Sequence, residues 1–224
     1  MAEYASEMRL YDPTTGERLY MDEQERERFI AHSNQIPNTK DRMLCHVLHW
    51  TGCRVSEALE LTPRRINADK CVIRFRTIKK RKVTKKGEKK AAVFRDVPIP
   101  KDLAESLDIV FGLRQIRKSK KGLDLPLWTL RDDLKKPMGR VTAWRIIKRV
   151  MESAAIEGPQ ATAKGFRHGF AVSMILGGMD YRLLQKLLGH ERPETTAIYL
   201  QVTGAEAYDL QMAYWDKANK NWQR

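Results

Sequence analysis

Three segments before residue 62 carry apolar residues at helical spacing. Residues 40–50, KDRMLCHVLHW, predict a helix, with an apolar stripe of Met43, Leu44, Val47 and Leu48. Residues 23–34, EQERERFIAHSN, predict an earlier helix whose buried pair is Phe29 and Ile30. Asp22 is placed to cap that helix, and Gly52 is placed to end the later one. RVSEALEL, 54–61, predicts a short third helix.

Two later segments alternate in the manner of β-strands, and the remainder of the chain returns to helical spacing. CVIRFRTI, 71–78, and AAVFRDVPI, 91–99, are rich in Val, Ile and Phe and predict two strands. The helical segments after residue 101 are DLAESLDIVFGL, VTAWRIIKRVMESAA, FRHGFAVSMIL, YRLLQKLL, ETTAIYL and AEAYDLQMAYWDKA. The predicted fold class is therefore mainly α with a small antiparallel β-sheet (α+β).

The domain organisation follows from the absence of an internal repeat and of a linker rich in Gly, Ser or Pro. We expect one domain over residues 21–205, preceded by an N-terminal arm, 1–20, and followed by a C-terminal helical tail, 206–224. A length of 224 residues is sufficient for a core of its own.

Charge and hydropathy restrict the partners of the chain. Its 42 Lys and Arg residues exceed 28 Asp and Glu residues, giving a net charge of +14. Such an excess indicates a polyanionic partner, with nucleic acid favoured over a membrane. The N-terminus, MAEYASEMRL, has no signal-peptide pattern, and no apolar stretch approaches a membrane span. We expect a soluble intracellular protein in the cytoplasm, associated with the nucleoid.

The three cysteines suggest a reducing compartment rather than a disulfide framework, because Cys45, Cys53 and Cys71 are odd in number and not closely paired. Cys45, His49 and Cys53 have the spacing of one helix face and could be considered as metal ligands. The predicted helix end at Gly52 and the lack of a nearby fourth ligand argue against that reading. Buried thiols and a hydrogen-bonded core histidine are favoured instead.

A highly basic segment, KKRKVTKKGEKK, lies between the two predicted strands at residues 79–90. It holds eight Lys or Arg residues and one Glu, so half of the excess charge of the chain is in this segment. Most of these side chains are expected to be solvated at a hairpin turn. A basic hairpin can also enter a DNA groove, since phosphate contacts release counterions, and the candidates for this are Lys80, Arg81, Lys82, Lys85 and Lys86. Lys79 and Lys80, at the foot of the first strand, would be held more firmly than the rest.

A set of separate residues has the chemistry needed to act on a phosphodiester. Arg54 begins a helix and can pair with Glu57 one turn later, and Arg167 begins another helix; each alone is more typical of a structural role. Two guanidinium groups can, however, neutralise a pentacovalent phosphate without a metal ion, and no acidic metal-binding cluster is present. LLGHERPETTAIYLQV, 187–202, adds His190 and, nine residues later, Tyr199. A clamped phosphate makes a tyrosine hydroxyl a competent nucleophile. Neither a metal nor another cofactor is expected.

Together TGCRVSEALEL, the strand-borne lysine, KGFRHGFA, LLGH and the following tyrosine resemble the tyrosine recombinases, or phage integrases, over roughly residues 20 to 205. The resemblance implies the catalytic-domain fold of that family and a DNA strand transferase that needs neither metal nor ATP. Tyr199 would attack a phosphodiester, giving a 3′-phosphotyrosyl link and a free 5′-hydroxyl. The resemblance further implies that Arg54 and Arg167 hold the phosphate with support from Glu57. It also implies that His190 hydrogen-bonds the phosphate and helps to orient the nucleophile. It gives the role of leaving-group acid to Lys79, with Lys80 as the alternative.

The sequence departs from this family in two places. The usual motif is His-x-x-Arg, but Lys164 stands three residues before Arg167. A lysine is a base only if its pKa is strongly lowered, so the acceptor of the tyrosine proton is open. His168 is expected to be a packing residue, because neighbours on a helix point about 100° apart. Second, only 53 residues precede Arg54, and no separate N-terminal core-binding domain is expected.

Two alternatives to site-specific recombination stay open at this point. A type IB topoisomerase-like enzyme shares the chemistry but relaxes supercoils, and a basic DNA-binding regulator needs no reactive tyrosine. For a recombinase the partners are double-stranded DNA and other copies of the chain, as a homo-tetramer on two DNA sites that is weakly associated or monomeric without DNA. The helix VTAWRIIKRV would add phosphate contacts from Arg145, Lys148 and Arg149. The reaction would be integration, excision, resolution or inversion.

Overall fold

The predicted fold class is confirmed by a computed structural model, which describes residues 9–77, 92–130, 133, 135–201, 208, 211–212 and 215–216. Its α-helices are α1 (Glu23–Ser33), α2 (Thr39–Thr51), α3 (Val55–Leu59), α4 (Lys101–Phe111), α5 (Leu113–Ser119), α6 (Arg140–Ser153), α7 (Ala163–Leu176), α8 (Tyr181–Leu188) and α9 (Glu194–Ala197). Its strands are β1 (Ile66–Asn67), β2 (Val72–Thr77) and β3 (Val93–Pro98). Short 3-10 turns lie at Pro63–Arg65, before β1, and at Ile198–Gln201, after α9.

The helix ends agree with the predicted signals. Asp22 caps α1 in a capping box with Glu25. Gly52 ends α2 in the left-handed region at φ +56°, and a Cβ at this position would overlap the ring of Phe170. Glycine therefore permits both the turn and the close approach of α7. The chain leaves this turn directly into Arg54, the residue that caps α3.

The sheet is antiparallel in the order β1–β2–β3, with Ile73 opposite Val97 and Phe75 opposite Arg95. Ile73, Phe75 and Val97 are buried, whereas the intervening positions face outward. The two predicted strands are thus confirmed. The strand β1 was not predicted, because two residues are too few to show an alternation of apolar and polar positions. The hairpin residues Lys79, Lys80, Arg81, Lys82, Lys85 and Lys86 lie outside the described residues.

Buried apolar side chains form a large cluster under the sheet and a smaller one around α7 and α8. The smaller cluster contains Leu10 and Tyr20, from the predicted N-terminal arm, together with Tyr199. The two ends of the described arm, Leu10 and Tyr20, are therefore packed against the domain, and the backbone N–H of the next residue, Met21, donates to the carbonyl of Gly165 at 3.1 Å. The boundaries at residues 20 and 205 remain predictions, as does the lack of a core-binding domain.

The structure adds one helix to the prediction and describes only part of the tail. The predicted helix DLAESLDIVFGL ends as α4 at Phe111, and Gly112, at φ +65°, separates it from α5, for which no helix was predicted beyond Leu113. In the tail, residues 208, 211–212 and 215–216 are helical. In the described part of the chain, no helix is long and apolar enough to cross a membrane.

The cysteine face of α2 is part of the core. Cys45 and Cys53 are buried, as predicted, and burial raises the pKa of each thiol to about 12. His49 is also buried, but its Nδ1 has no hydrogen-bond partner among the described residues, so the predicted hydrogen-bonded histidine is confirmed only in its burial. No group of three metal-ligating side chains is found among the described residues.

Candidate active site

Arg54 is held at the start of α3 with its guanidinium partly open to solvent. Glu57 Oε2 accepts from the backbone N–H of Arg54 at 3.0 Å, and Glu57 Oε1 accepts from Arg54 Nη1 at 3.0 Å. The predicted pairing is thus confirmed. The Arg54 side chain is 39% exposed whereas that of Glu57 is fully buried, so the arginine has donors left for a ligand outside the fold.

Arg167 lies inside the domain and joins two turns of the chain. Its Nη1 donates to the carbonyl of Gly52 and its Nη2 to the carbonyl of Leu188, each at 2.7 Å. Nη2 is also 3.0 Å from His190 Nε2. Burial, and secondarily the charge of Arg54, lowers the pKa of Arg167 to about 10, with Glu57 opposing, so the guanidinium remains charged at neutral pH.

The tautomer of His190 follows from its neighbours. A guanidinium has only donors, so Nε2 of His190 accepts from Arg167 and Nδ1 carries the proton. That Nδ1 then donates to Thr196 Oγ1 at 2.9 Å. Burial, followed by the charges of Arg167 and Arg54, lowers the pKa of His190 to about 2. The ring is therefore neutral and fixed in orientation.

Tyr199, in the 3-10 turn after α9, lies against this histidine. The two rings are stacked at 19° with their centroids 6.3 Å apart. Tyr199 is fully buried, and burial raises its pKa to about 12 although Arg167 and Arg54 oppose the change. The neutral hydroxyl is 2.8 Å from Nδ1 of His168. The structure thus brings together Arg54, Arg167, His190 and Tyr199.

His168 corrects the sequence-based expectation of a packing residue. Arg167 donates to the carbonyls of Gly52 and Leu188, whereas His168 contacts the turn carrying Tyr199, which packs on α7. Burial, then the charges of Lys164 and Arg167, lowers the pKa of His168 to about 3, so the ring is neutral. In the tautomer with its proton on Nε2, Nδ1 accepts the tyrosine hydrogen. Lys164 itself is exposed in the first turn of α7. The one sequence signal for His168 was its place beside Arg167.

Arg95 is a site residue that the sequence analysis missed. Its Nη2 lies 2.6 Å from Glu57 Oε2 and its Nη1 lies 3.2 Å from Glu57 Oε1. Arg167 Nη1 is 4.0 Å from the same carboxylate. Burial disfavours ionisation of Glu57, but the hydrogen bond from Arg95 and the charges of Arg95, Arg167 and Arg54 outweigh it and lower its pKa. One carboxylate therefore organises three guanidinium groups.

The basic residues predicted on α6 have mixed surroundings. Arg145 and Arg149 are exposed. Lys148 is half-buried, with its Nζ 4.0 Å from Glu152 Oε1. Helix α6 packs on α3, which Arg54 begins, so these charges share a part of the domain with the phosphate-binding candidate. The site can thus hold an anion at the partly exposed Arg54, whereas Tyr199 is enclosed by the fold.

Comparison with known proteins identifies the origin of this arrangement. Residues 19–206 match the model of the phage integrase family. The chain is 31% identical over 167 residues to tyrosine recombinase XerD of Xanthomonas campestris pv. campestris, covering 73% of this chain and 48% of that protein. It is 32% identical to tyrosine recombinase XerA of Thermococcus kodakarensis, covering 75% and 54%. The chain spans about half the length of these curated relatives.

Solved structures show the same fold. The crystal structure of XerA recombinase superposes with a TM-score of 0.66 at 24% identity, covering 87% of this chain and 64% of that one. The XerH site-specific recombinase bound to difH substrate superposes with a TM-score of 0.64 at 20% identity, covering 81% and 50%.

Proposed function

The chain belongs to the phage integrase family, and we propose that it cuts and rejoins double-stranded DNA through a covalent bond to Tyr199. The observation that carries this proposal is the convergence of Arg54, Arg167, His190 and Tyr199 from four separate segments. Arginine forks bind the non-bridging oxygens of a phosphate bidentately. A tyrosine beside such a clamp is placed for attack on phosphorus.

The proposed reaction exchanges one phosphodiester bond for another. As the Tyr199 oxygen bonds to phosphorus, its proton passes to His168 Nδ1 and the bond to the 5′-oxygen breaks. Lys79, or alternatively Lys80, gives a proton to that leaving oxygen, and the 3′-phosphate remains on the tyrosine. Resealing runs these steps backward without ATP. The arginines stabilise the charge that develops on phosphorus, and the neutral His190, fixed between Arg167 and Thr196, keeps Arg167 and Tyr199 in place.

Tyr199 is fully buried in the DNA-free structure, so a phosphate reaches its hydroxyl only after the covering side chains move. We propose that DNA binding opens this cover while the contact with His168 is kept. Phosphate contacts from the 79–90 segment and from Arg145, Lys148 and Arg149 would supply the binding free energy. Lys164, in the first turn of α7, would add a further phosphate contact.

The assembly and location of the protein are part of the same proposal. A solved relative is described as bound to difH substrate. For this chain we propose a homo-tetramer on two DNA sites, weak self-association without DNA, and action on DNA in the cytoplasm. The division into residues 1–20, 21–205 and 206–224 gives an arm, a catalytic domain and a tail for contacts between copies.

The test is capture of the covalent intermediate on two pools of duplex oligonucleotides with randomised flanking bases. In the trap pool the central phosphate has a 5′-bridging sulfur, so the thiolate leaves without a proton. In the nicked pool the phosphate is ordinary and a nearby nick lets the 5′-hydroxyl fragment diffuse away. Tyr199→Phe should abolish the adduct and leave DNA binding nearly unchanged, because only a hydroxyl is lost. Tyr181→Phe, at the half-buried start of α8, is the matched control.

Peptide mapping of the adduct locates the nucleophile. An adduct that persists in Tyr199→Phe would refute the assignment, with Tyr181, Tyr208 and Tyr214 as the competing sites. Complete absence of adducts with the unaltered chain on both pools would favour a DNA-binding regulator. Relaxation of a supercoiled plasmid by the protein alone would favour the topoisomerase-like reaction, whereas strand joining between two duplexes supports recombination.

A further inference from the structure

We infer that Arg95 is a positioning residue that ties the phosphate clamp to the end of β2, from which the chain continues to the proposed leaving-group lysine, an inference that rests on the proposed function. Arg95 projects from β3 opposite Phe75 and is largely buried, with 8% of its side chain exposed. It does not reach solvent as a DNA-contacting arginine would. Its role must therefore be exerted through the groups that it binds.

The donors of Arg95 are distributed over three parts of the fold. Besides the two contacts to Glu57, Nη1 donates to Thr77 Oγ1 at 3.1 Å and Nε donates to the carbonyl of Leu187 at 2.7 Å. Its guanidinium also lies 5.2 Å from the ring centroid of Phe75. A planar fork with five N–H donors can make all these contacts at once, whereas the single ammonium of a lysine cannot.

Each partner of Arg95 stands next to a proposed active-site group. Glu57 holds Arg54, and Leu187 precedes the carbonyl of Leu188 that binds Arg167. Thr77 is the last residue of β2, two positions before Lys79. One guanidinium thus connects the partner of the first arginine, the turn before His190 and the last residue of β2.

Arg95 also solves an electrostatic problem at Glu57. A buried carboxylate needs a permanent partner, since an unpaired buried charge costs several kcal/mol. When Arg54 turns to a phosphate it can no longer serve Glu57 fully. Arg95 keeps both carboxylate oxygens occupied, at 2.6 and 3.2 Å, so that Glu57 does not compete with DNA for Arg54.

The test compares Arg95→Lys with Arg74→Lys, a matched control on the same two strands. Arg74 forms a bidentate pair with Asp96 at 2.7 Å for both contacts, but this pair is exposed. We expect Arg95→Lys to slow single-turnover cleavage of the nicked pool roughly a hundredfold, the effect of an ångström-scale misplacement. DNA affinity should stay within about threefold, because no phosphate contact is removed. Arg74→Lys should change neither quantity.

The trap pool separates positioning from general loss of structure. Because the thiolate of this pool leaves without a proton, the loss of cleavage rate in Arg95→Lys should be roughly tenfold smaller on it than on the nicked pool. That difference is the part of the loss that acts through the proposed leaving-group lysine. Thr77→Val removes one contact of Arg95 with little change of shape, so it serves if Arg95→Lys does not fold. Thr77→Val should cleave the nicked pool slowly and should cleave the trap pool at nearly the rate of the unaltered protein.

Several results would overturn the inference. The inference is wrong if Arg95→Lys cleaves as fast as Arg74→Lys, or if Arg95→Lys loses DNA binding in parallel with cleavage. It is also wrong if Thr77→Val cleaves the nicked pool at the rate of the unaltered protein. Failure of the proposed function has a different signature, which is the absence of an adduct with the unaltered chain. The two conclusions can therefore fail separately.

Discussion

Replacing His168 by Asn tests who accepts the tyrosine proton. Asn Oδ1 can occupy the place of Nδ1 and accept the hydrogen bond from Tyr199, but it cannot take the proton. The pKa of Tyr199 is about 12, five pH units above neutrality, so forming the phenolate without an acceptor costs about 7 kcal/mol. General bases contribute roughly a hundred- to ten-thousandfold. We expect cleavage by His168→Asn to fall at least about a hundredfold at pH 7.

The assay is single-turnover adduct formation on the trap pool as a function of pH, where protonation of the leaving group does not limit the rate. His168 has a pKa near 3 and is already neutral, so the unaltered protein should have a nearly flat profile from about pH 6 to 9. Without the acceptor, the rate follows the phenolate fraction and should rise roughly tenfold per pH unit. His49→Asn is the control, since His49 is also buried with a pKa near 3.

Three results would refute this reasoning. A steep profile for the unaltered protein would show that the tyrosine ionises before attack. A flat profile for His168→Asn, within about threefold of the unaltered rate, would reduce His168 to a hydrogen-bond acceptor. Faster cleavage by His168→Asn would show that the histidine stores the tyrosine in an unreactive position.

Three further predictions concern stability, binding and assembly. Glu57→Gln should lower the free energy of unfolding by about 3–5 kcal/mol at neutral pH, because guanidinium groups lose their buried partner. The pKa of Glu57 is lowered in the folded state. The two proteins should therefore become closer in free energy of unfolding, measured by urea titration, as the pH falls below 4.5, the ordinary pKa of a glutamate. DNA binding should be only modestly site-selective, and six phosphate contacts would cost on the order of a thousandfold in affinity between 50 and 200 mM salt in gel shifts, so tight selective binding at 200 mM would contradict it. Truncation after Gly204 should weaken assembly on DNA more than nicking, and equal losses would count against exchange of the tail between copies.

The residues that the sequence could predict are those whose position depends on local signals. Gly52 ends a helix and places Arg54 at the next cap, and the Arg54–Glu57 spacing is that of one helical turn. Arg167 lies in the second turn of α7, four residues after the helix starts at Ala163, and His190 follows the glycine that ends α8. Their convergence was anticipated from the order of the family motifs rather than from any single segment.

Arg95 and His168 could not be predicted because their partners are set by tertiary structure. Strand period alone does not show that an arginine opposite Phe75 reaches inward to Glu57, 38 residues earlier. Arg167 and His168 bind different partners, but the role of His168 becomes visible only once the turn of Tyr199 is known to pack on α7. Both surprises are polar groups buried at the centre of the site.

The charges of the site support the proposed chemistry at a level that sequence motifs do not reach. Arg54, Arg95 and Arg167 carry three positive charges and Glu57 one negative charge, while both histidines are neutral, which leaves an excess of two. A phosphodiester carries one negative charge, whereas the phosphorane formed by phenolate attack carries two. As the phosphorane gains its second negative charge, the tyrosine proton moves to His168 and the excess of positive charge on the protein rises to three. Both charges that the step creates therefore form inside the site, and the fixed guanidinium groups stabilise the one on phosphorus. A buried neutral tyrosine adds no charge to this balance until its proton leaves.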